Sequence, residues 1–310
     1  MYKSLPPDIR KYTLGDELFG LHKQGALQSD FGMDSSSELL DGGFGLYSSA
    51  DLKPKIGPIK SEYYRMGLFR RGSAVLNIGL ERFQPMRNFL VFGFPGQIFS
   101  FENPTADLFN YYCLFNAGFV LQSPDLKNLV EHSPFYQYAG LQCFEVPESD
   151  GAAIESLFLM MNAEWKARQA GTGQAVRALL QLALIAANRC YGASLYRPAA
   201  AHDSNMLLFN RFIKLVSQHV PRCRKVADYA ELLHVTADHL SRIARLHAGK
   251  SANQLIDEMI LLEARALLRH SALSVAEIAY QLEFTDPSHF NKFFKKGAGC
   301  TPLQYRNTSD

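Results

Sequence analysis

The chain has 310 residues, 47% of them hydrophobic and 20% charged, with a formal net charge of +2. That length allows two domains with separate cores, and the apolar share is that of an ordinary globular chain. The near-neutral total excludes reading the whole chain as a nucleic-acid binder, but the charge is divided: residues 205–310 hold 14 Lys and Arg against 10 Asp and Glu, residues 1–204 hold 18 against 20.

The five cysteines, Cys113, Cys143, Cys190, Cys223 and Cys300, are odd in number and form no C-x-x-C pair. Reduced, structural thiols are expected. The first twenty residues are charged and broken by Pro6-Pro7, unlike a signal peptide, and no apolar run reaches bilayer length. The expectation is a cytoplasmic protein with no membrane partner.

Residues 1 to about 40 carry little pattern. Leu14, Leu18 and Leu21 hint at a short helix, and Asp34–Ser37 and Asp41–Gly43 are loop punctuation. From Phe44 to about Val120 the texture is β: FGLYSS, EYYRMGLFRR, SAVLNIGL, NFLVFGFPG and FNYYCLFNAGFV are rich in aromatic and β-branched residues. Pro54, Pro58, Gly72, Pro85, Pro95-Gly96 and Asn103-Pro104 separate them. Many short strands at such spacing imply a sandwich or small barrel. The aromatics Tyr63, Tyr64, Phe69, Phe92, Phe94, Phe99, Tyr111 and Phe115 are candidates for lining a pocket, and equally for plain core packing.

After Ser123 the periodicity becomes helical. A short helix is predicted over Pro124–His132, then longer ones over about Asp150–Arg168 and Gln174–Tyr191, joined at Gly171-Thr172-Gly173. Their apolar stripes are Ile154, Leu157, Phe158, Met161 and Trp165, and Val176, Leu179, Leu180, Ala183, Leu184 and Ala187. Gly192–Asn205 has no periodic apolar face and reads as a linker. The division is thus a first domain over 1–195, a linker over 196–205 and a second domain over 206–310.

Met206–Val220 reads as a helix closed by Pro221. Val226, Tyr229, Ala230 and Leu233 mark the first helix of a hairpin. Thr236 can N-cap the second, anchored by Leu240 and Ile243, with Gly249 as its stop. Asp238, Ser241, Arg242 and Arg245 fall on its outward face. Arg242 suits either a bidentate contact to guanine or a phosphate clamp. His239 and His247 read as core-edge or phosphate-facing residues rather than metal ligands. Ser251 to about His270 is a connecting helix, with Leu255, Met259, Leu262 and Ala266 along one side. A second hairpin follows. Ser274 and Glu277 form a capping box, and Val275, Ile278, Ala279 and Leu282 make one stripe. Asp286-Pro287 starts the next helix, in which Phe290, Phe293 and Phe294 face a core. Ser288, His289, Asn291, Lys292, Lys295 and Lys296 remain as candidate DNA contacts, since a small, polar, basic helix face fits a major groove.

The run I-A-x-x-L-x-F-x-D-x-S-x-F-x-x-F-F-K-K-x-x-G-x-T-P-x-x-Y-R, read from Ile278 to Arg306, resembles the AraC/XylS family of bacterial transcription regulators. Three positions depart from that family's pattern. Glu283 stands where the turn usually has glycine, so a looser turn or one without positive φ is expected there. Ala244 stands where phenylalanine is usual, so a looser first hairpin is expected. Ile260 replaces a common basic residue.

The resemblance implies an α+β chain: an N-terminal cupin-like β-barrel or jelly-roll sensor domain with flanking helices, and a C-terminal all-α domain with two helix-turn-helix motifs joined by a connecting helix. It implies double-stranded DNA, a small-molecule effector and RNA polymerase as partners, and favours activation. It also implies a homodimer through the paired helices after the barrel; the alternative is that those helices only cover the sheets. In the effector reading, Tyr63, Tyr64, Phe69, Phe92, Phe94 and Tyr111 are the candidate pocket residues. Catalysis is not expected. His22, His132 and His202 are the only histidines before residue 205, none within the β region, and no G-x-S-x-G, phosphate loop or H-E-x-x-H occurs. No cofactor or metal is expected. Two alternatives remain: a regulator controlled by a protein partner without a small ligand, and a cupin-like enzyme fused to a regulator.

Overall fold

In the computed structural model the described residues are 11–12, 14, 20, 22, 31–33, 38–50, 52–137, 140–194, 204–220 and 222–307. Most of the segment around Leu14–Leu21 and residues 195–203 of the expected linker lie outside that set.

Two antiparallel sheets make the first half. One holds β1 (Lys11–Tyr12), β3 (Lys55–Ser61), β8 (Ile98–Glu102), β5 (Val75–Ile78) and β6 (Glu81–Phe83) in that order, with only β1–β3 parallel. The other holds β10 (Cys143–Glu145), β7 (Phe89–Gly93), β4 (Tyr64–Arg71), β9 (Phe109–Phe115) and β2 (Phe44–Ser48). β4 is its central strand, with Met66 opposite Phe92 on one side and Cys113 on the other. Side chains alternate across a strand, so one face of each sheet supplies the shared core. On the second sheet Tyr63, Gly67, Phe69, Val91, Tyr112 and Leu114 face the first sheet, while Phe44, Met66, Leu68, Leu90, Phe92 and Phe115 are fully buried on its opposite face, where Phe92 stacks on Phe135.

Two segments differ from the sequence reading. Lys55–Ser61 was expected to be a separator because of Pro58, yet it is a full strand. Its register against β8 shifts between Ile56 and Ile59, and a proline is tolerated where the ladder is interrupted. The run ending at Val120 was expected to be one strand, yet β9 stops at Phe115. Asn116 then caps α1 (Ala117–Leu121), its side chain accepting from the Phe119 N–H at 2.9 Å.

Helices α2 (Pro124–His132), α3 (Glu148–Ala167) and α4 (Thr172–Ser194) cover the second sheet. Ile154, Phe158, Met161, Val176, Leu180, Ala183, Leu184 and Ala187 are all inaccessible and belong to the same core as the strands. The apolar stripes of α3 and α4 are therefore used within the chain. Their large exposed apolar residues are Leu159, Met160 and Leu182.

The second half is helical: α5 (Ser204–His219), α6 (Val226–Leu232), α7 (Ala237–Ala248), α8 (Ala252–His270), α9 (Val275–Gln281), α10 (Pro287–Ala298) and α11 (Pro302–Asn307). It has a core of its own, including Phe212, Tyr229, Leu240, Ile260, Ile278, Phe290 and Phe294. Its construction is a repeat. α6–turn–α7 is followed by Ser251 capping α8, and α9–turn–α10 by Thr301 bonding Gln304 at the start of α11. Both turns close alike: Val235 N–H donates to Ala230 O and Phe284 N–H to Ala279 O, each at 2.9 Å, with His234 at φ 56° and Glu283 at φ 57°. Glu283 thus takes the left-handed conformation that glycine would take, and the turn is as tight as its partner, contrary to expectation. Ala244 is fully buried in this core. α5 packs on α7, bringing in Phe209, which stacks on His247, and Phe212, which meets Tyr229 edge-on. Ile260 is fully buried in the same core.

Candidate nucleic-acid interface and ligand cavity

Helices α7 and α10 present matching outward faces. Thr236 caps α7 by accepting from His239 N–H at 3.2 Å, and Asp286 caps α10 by accepting from Ser288 N–H at 2.5 Å. The latter bond holds the Asp286 carboxyl below its usual range, so it stays ionised at the positive end of the helix. Gly249 and Gly299, at φ 67° and 80°, end the two helices.

Leu240, Ile243 and Ala244 on α7, and Phe290 and Phe294 on α10, are buried. Helical pitch then turns Asp238, Arg242 and Arg245 outward on α7, and Ser288, His289, Asn291, Lys292, Lys295 and Lys296 outward on α10; all are exposed, and Ser241 is half-buried. Arg242 lies 2.9 Å from His239 Nδ1, which steadies its guanidinium without covering it. Asn291 donates to Pro287 O at 2.9 Å. The outward face of α10 carries three lysines, that of α7 two arginines and an aspartate.

The two hairpins are cross-braced. Arg224, just before α6, lies 3.9 Å from the Phe284 ring centroid and donates to Glu283 O at 3.2 Å. α8, with 19 residues, packs against α6, α7, α9, α10 and α11. At about 1.5 Å per residue it is a rod of roughly 28 Å.

A cavity lies between the two sheets, with about 560 Å³ between its walls including the open mouth. Ile56, Ile59, Leu76, Phe99 and Phe101 line it from one sheet, and Tyr63, Arg65, Gly67, Phe69, Tyr112 and Leu114 from the other. Of the six aromatic candidates, Tyr63 and Phe69 line this cavity. The other four pack elsewhere: Phe92 stacks on Phe135 and Phe144, Tyr64 on Phe115, Tyr111 meets Phe31 and Phe158, and Phe94 joins the core. Sequence reasoning missed Arg65, Asn110, Tyr112 and His22 as cavity residues. Arg65 was legible in principle: Tyr63, Arg65, Gly67 and Phe69 alternate, so a strand through them sets all four on one face. Nothing local marked His22, whose ring lies 5.1 Å from that of Tyr47. Among the described residues no His, Cys, Asp and Glu cluster could hold a metal ion.

The halves meet where α8 packs on β3 and β8. There Lys60 Nζ lies 2.6 Å from Glu263 Oε1, with the side chains 10% and 1% exposed.

The repeated helix-turn-helix geometry defines a DNA-binding class of domain. The sequence profile of a family described as "Helix-turn-helix domain" matches residues 229–308. The C-terminal unit is a helix-turn-helix domain of the AraC type. The transcriptional regulator GlxA of Rhizobium meliloti is 40% identical over 80 residues, which are 26% of this chain and 25% of GlxA. The transcriptional activator RhaS of Salmonella arizonae is 28% identical over 199 residues, 60% of this chain and 70% of RhaS. The chain thus spans a quarter of GlxA, and its likeness to that relative is confined to the DNA-binding unit. Among solved structures, ToxT from Vibrio cholerae superposes over 85% of this chain and 98% of its own, with 16% identity and a TM-score of 0.45.

Proposed function

We propose that the protein is a sequence-specific transcription activator whose DNA-binding half is controlled by a small-molecule effector held by the sheet half. The observation that carries the reading is the pair of helices α7 and α10, alike in capping and outward polarity, fixed to one rod by a common core. Two such helices fit successive major grooves on one face of a duplex, about 34 Å apart. In this reading Arg242 reads a guanine, Arg245, Asp238 and Ser241 support it, and Ser288, His289, Asn291, Lys292, Lys295 and Lys296 hold the second groove and its phosphates. Units 1–195 and 206–310 act as sensor and reader, joined by the linker 196–205.

Control has a route through β3. Ile56 and Ile59 on this strand line the cavity, while the adjacent Lys60 binds Glu263 on α8. A ligand that displaces β3 acts directly on the rod that spaces the two reading helices, which biases the equilibrium between domain arrangements. Activation implies contact with RNA polymerase. Self-association is assigned to the outer faces of α3 and α4, where Leu159, Met160 and Leu182 are exposed.

The test is a salt-dependent titration against operator and scrambled duplexes. Arg242→Ala is expected to lose about 1–3 kcal/mol on the operator and less on scrambled DNA. Lys295→Ala should weaken both alike and lower the salt slope by about one. Equal losses for Arg242→Ala on both duplexes would move that residue to the backbone. A footprint confined to one groove rules out the two-helix docking.

A further inference from the structure

The cavity between the sheets contains a cation without a counter-ion. Arg65 is 9% exposed, and among the described residues no carboxylate lies within ion-pair distance of it. Its guanidinium carbon sits 3.4 Å from the Phe99 ring centroid and 5.7 Å from that of Tyr63. The aromatic faces and the Tyr63 hydroxyl beside the guanidinium offset part of the desolvation of the charge but bring no negative charge to balance it. Nearby polar atoms are also unsatisfied: the Tyr112 hydroxyl and Asn110 Oδ1 are buried with no hydrogen-bond partner. Burial pushes the Arg65 pKa down and that of Tyr112 well up, so the phenol is neutral and cannot serve as the counter-ion. Such a set of groups is costly in an empty cavity and fits one that is filled.

We propose that this cavity binds a small apolar monocarboxylate, its carboxylate gripped by Arg65 and its hydrocarbon or aromatic body lying among Ile56, Ile59, Phe69, Phe99 and Leu114. This names the effector class for the regulator proposed above and rests on that reading. One cation matches one negative charge, and the planar fork of arginine matches a carboxylate bidentately. A phosphate dianion would bring a second charge into largely apolar walls that hold no lysine or arginine besides Arg65. The Tyr112 hydroxyl and the Asn110 amide can receive a hydroxyl substituent on the ligand. Gly67 supplies the room: a Cβ there would meet Tyr111 O and Tyr112 Cβ at 3.5 Å and Val91 O at 3.9 Å, all ordinary contacts, and because Gly67 lines the cavity a larger side chain would take up its space.

The experiment uses the full chain, with thermal unfolding and calorimetric titration. The probes are sodium benzoate, phenylacetate, hexanoate and octanoate at millimolar concentration, each paired with its primary amide. At least one acid is expected to raise Tm by about 5 °C at roughly 100 times its Kd, with its amide giving little or no shift. Arg65→Met should remove the response to the acid, Arg65→Lys should weaken it at least tenfold, and Gly67→Val should abolish it by filling the cavity. Should Arg65→Met not fold, the acid–amide contrast on the unaltered chain and the Gly67→Val variant still decide. No protection by any acid, equal protection by acids and amides, or unchanged acid binding in a folded Arg65→Met or Gly67→Val chain overturns the proposal. DNA binding is measured on the same preparation without ligand. DNA binding intact with no acid response removes the ligand class alone, whereas absent DNA binding counts against the proposed function itself.

Discussion

Lys60 and Glu263 are 203 residues apart in sequence, yet their charged atoms lie 2.6 Å apart at the junction between strand β3 and the connecting helix α8. Both side chains are nearly removed from water. The pair therefore fixes position more than it adds stability, because the desolvation of two charges consumes most of their attraction. Its place matters: the next residue along β3, Ile59, lines the cavity.

Breaking one side of this pair has a larger effect than replacing both. Lys60→Met leaves the Glu263 carboxylate buried without its lysine, and should destabilise the full chain by about 3 kcal/mol. The double change Lys60→Met with Glu263→Leu should recover most of that loss. In residues 204–310 alone, Glu263→Gln should cost less than about 1 kcal/mol, since the carboxylate is then open to solvent. Urea unfolding of the four full-length forms and of the fragment measures each value. Additive single losses would remove the pair as the link between the halves.

Glu283 holds a left-handed backbone without being glycine. Glu283→Gly should raise the stability of the C-terminal unit by about 0.5–1 kcal/mol. The relieved strain exceeds the extra entropy that glycine gives the unfolded chain. Glu283→Val should lower stability by more than about 1 kcal/mol, because a β-branched residue tolerates positive φ least. The backbone carbonyl that accepts from Arg224 is kept in both variants. Denaturation midpoints of the three forms provide the check, and a loss on introducing glycine would contradict the turn geometry.

Glu148 begins α3 and is bonded by Arg87, Asn88 and Arg70, which tie the helix to the second sheet. The Arg87 hydrogen bond first, then that of Asn88, hold its carboxyl down at about 2, against an ordinary value of 4.5. A depressed folded pKa stabilises the fold above the unfolded value, and that contribution disappears as pH falls through the folded value. Stability should therefore fall from about pH 4.5 towards pH 2 more steeply in the native chain than in Glu148→Gln. Unfolding midpoints across that range should converge at the acid end; parallel curves would show that the network contributes nothing.

How much of this was legible in the sequence varies with the range of the interactions. The caps at Ser251, Ser274, Thr236 and Asp286, the buried stripes and the stop glycines are set within four residues of one another. The helical half and the outward faces of α7 and α10 could therefore be read directly. Strand Lys55–Ser61 was hidden because Pro58 is a breaker by local rules, and only pairing with β8 around a register shift makes it a strand. The apolar stripes of α3 and α4 announced burial but not the surface that buries them, which the sheet behind them supplies. Arg65 shows the same limit in charge. Its place on an alternating strand was fixed by its neighbours, but its lack of a counter-ion depends on which side chains a second sheet brings to the cavity. The sequence determined the elements, whose stabilising contacts are local. The tertiary structure alone decided the cavity and the Lys60–Glu263 junction, because each is made by residues that share no element and meet only when separate layers pack.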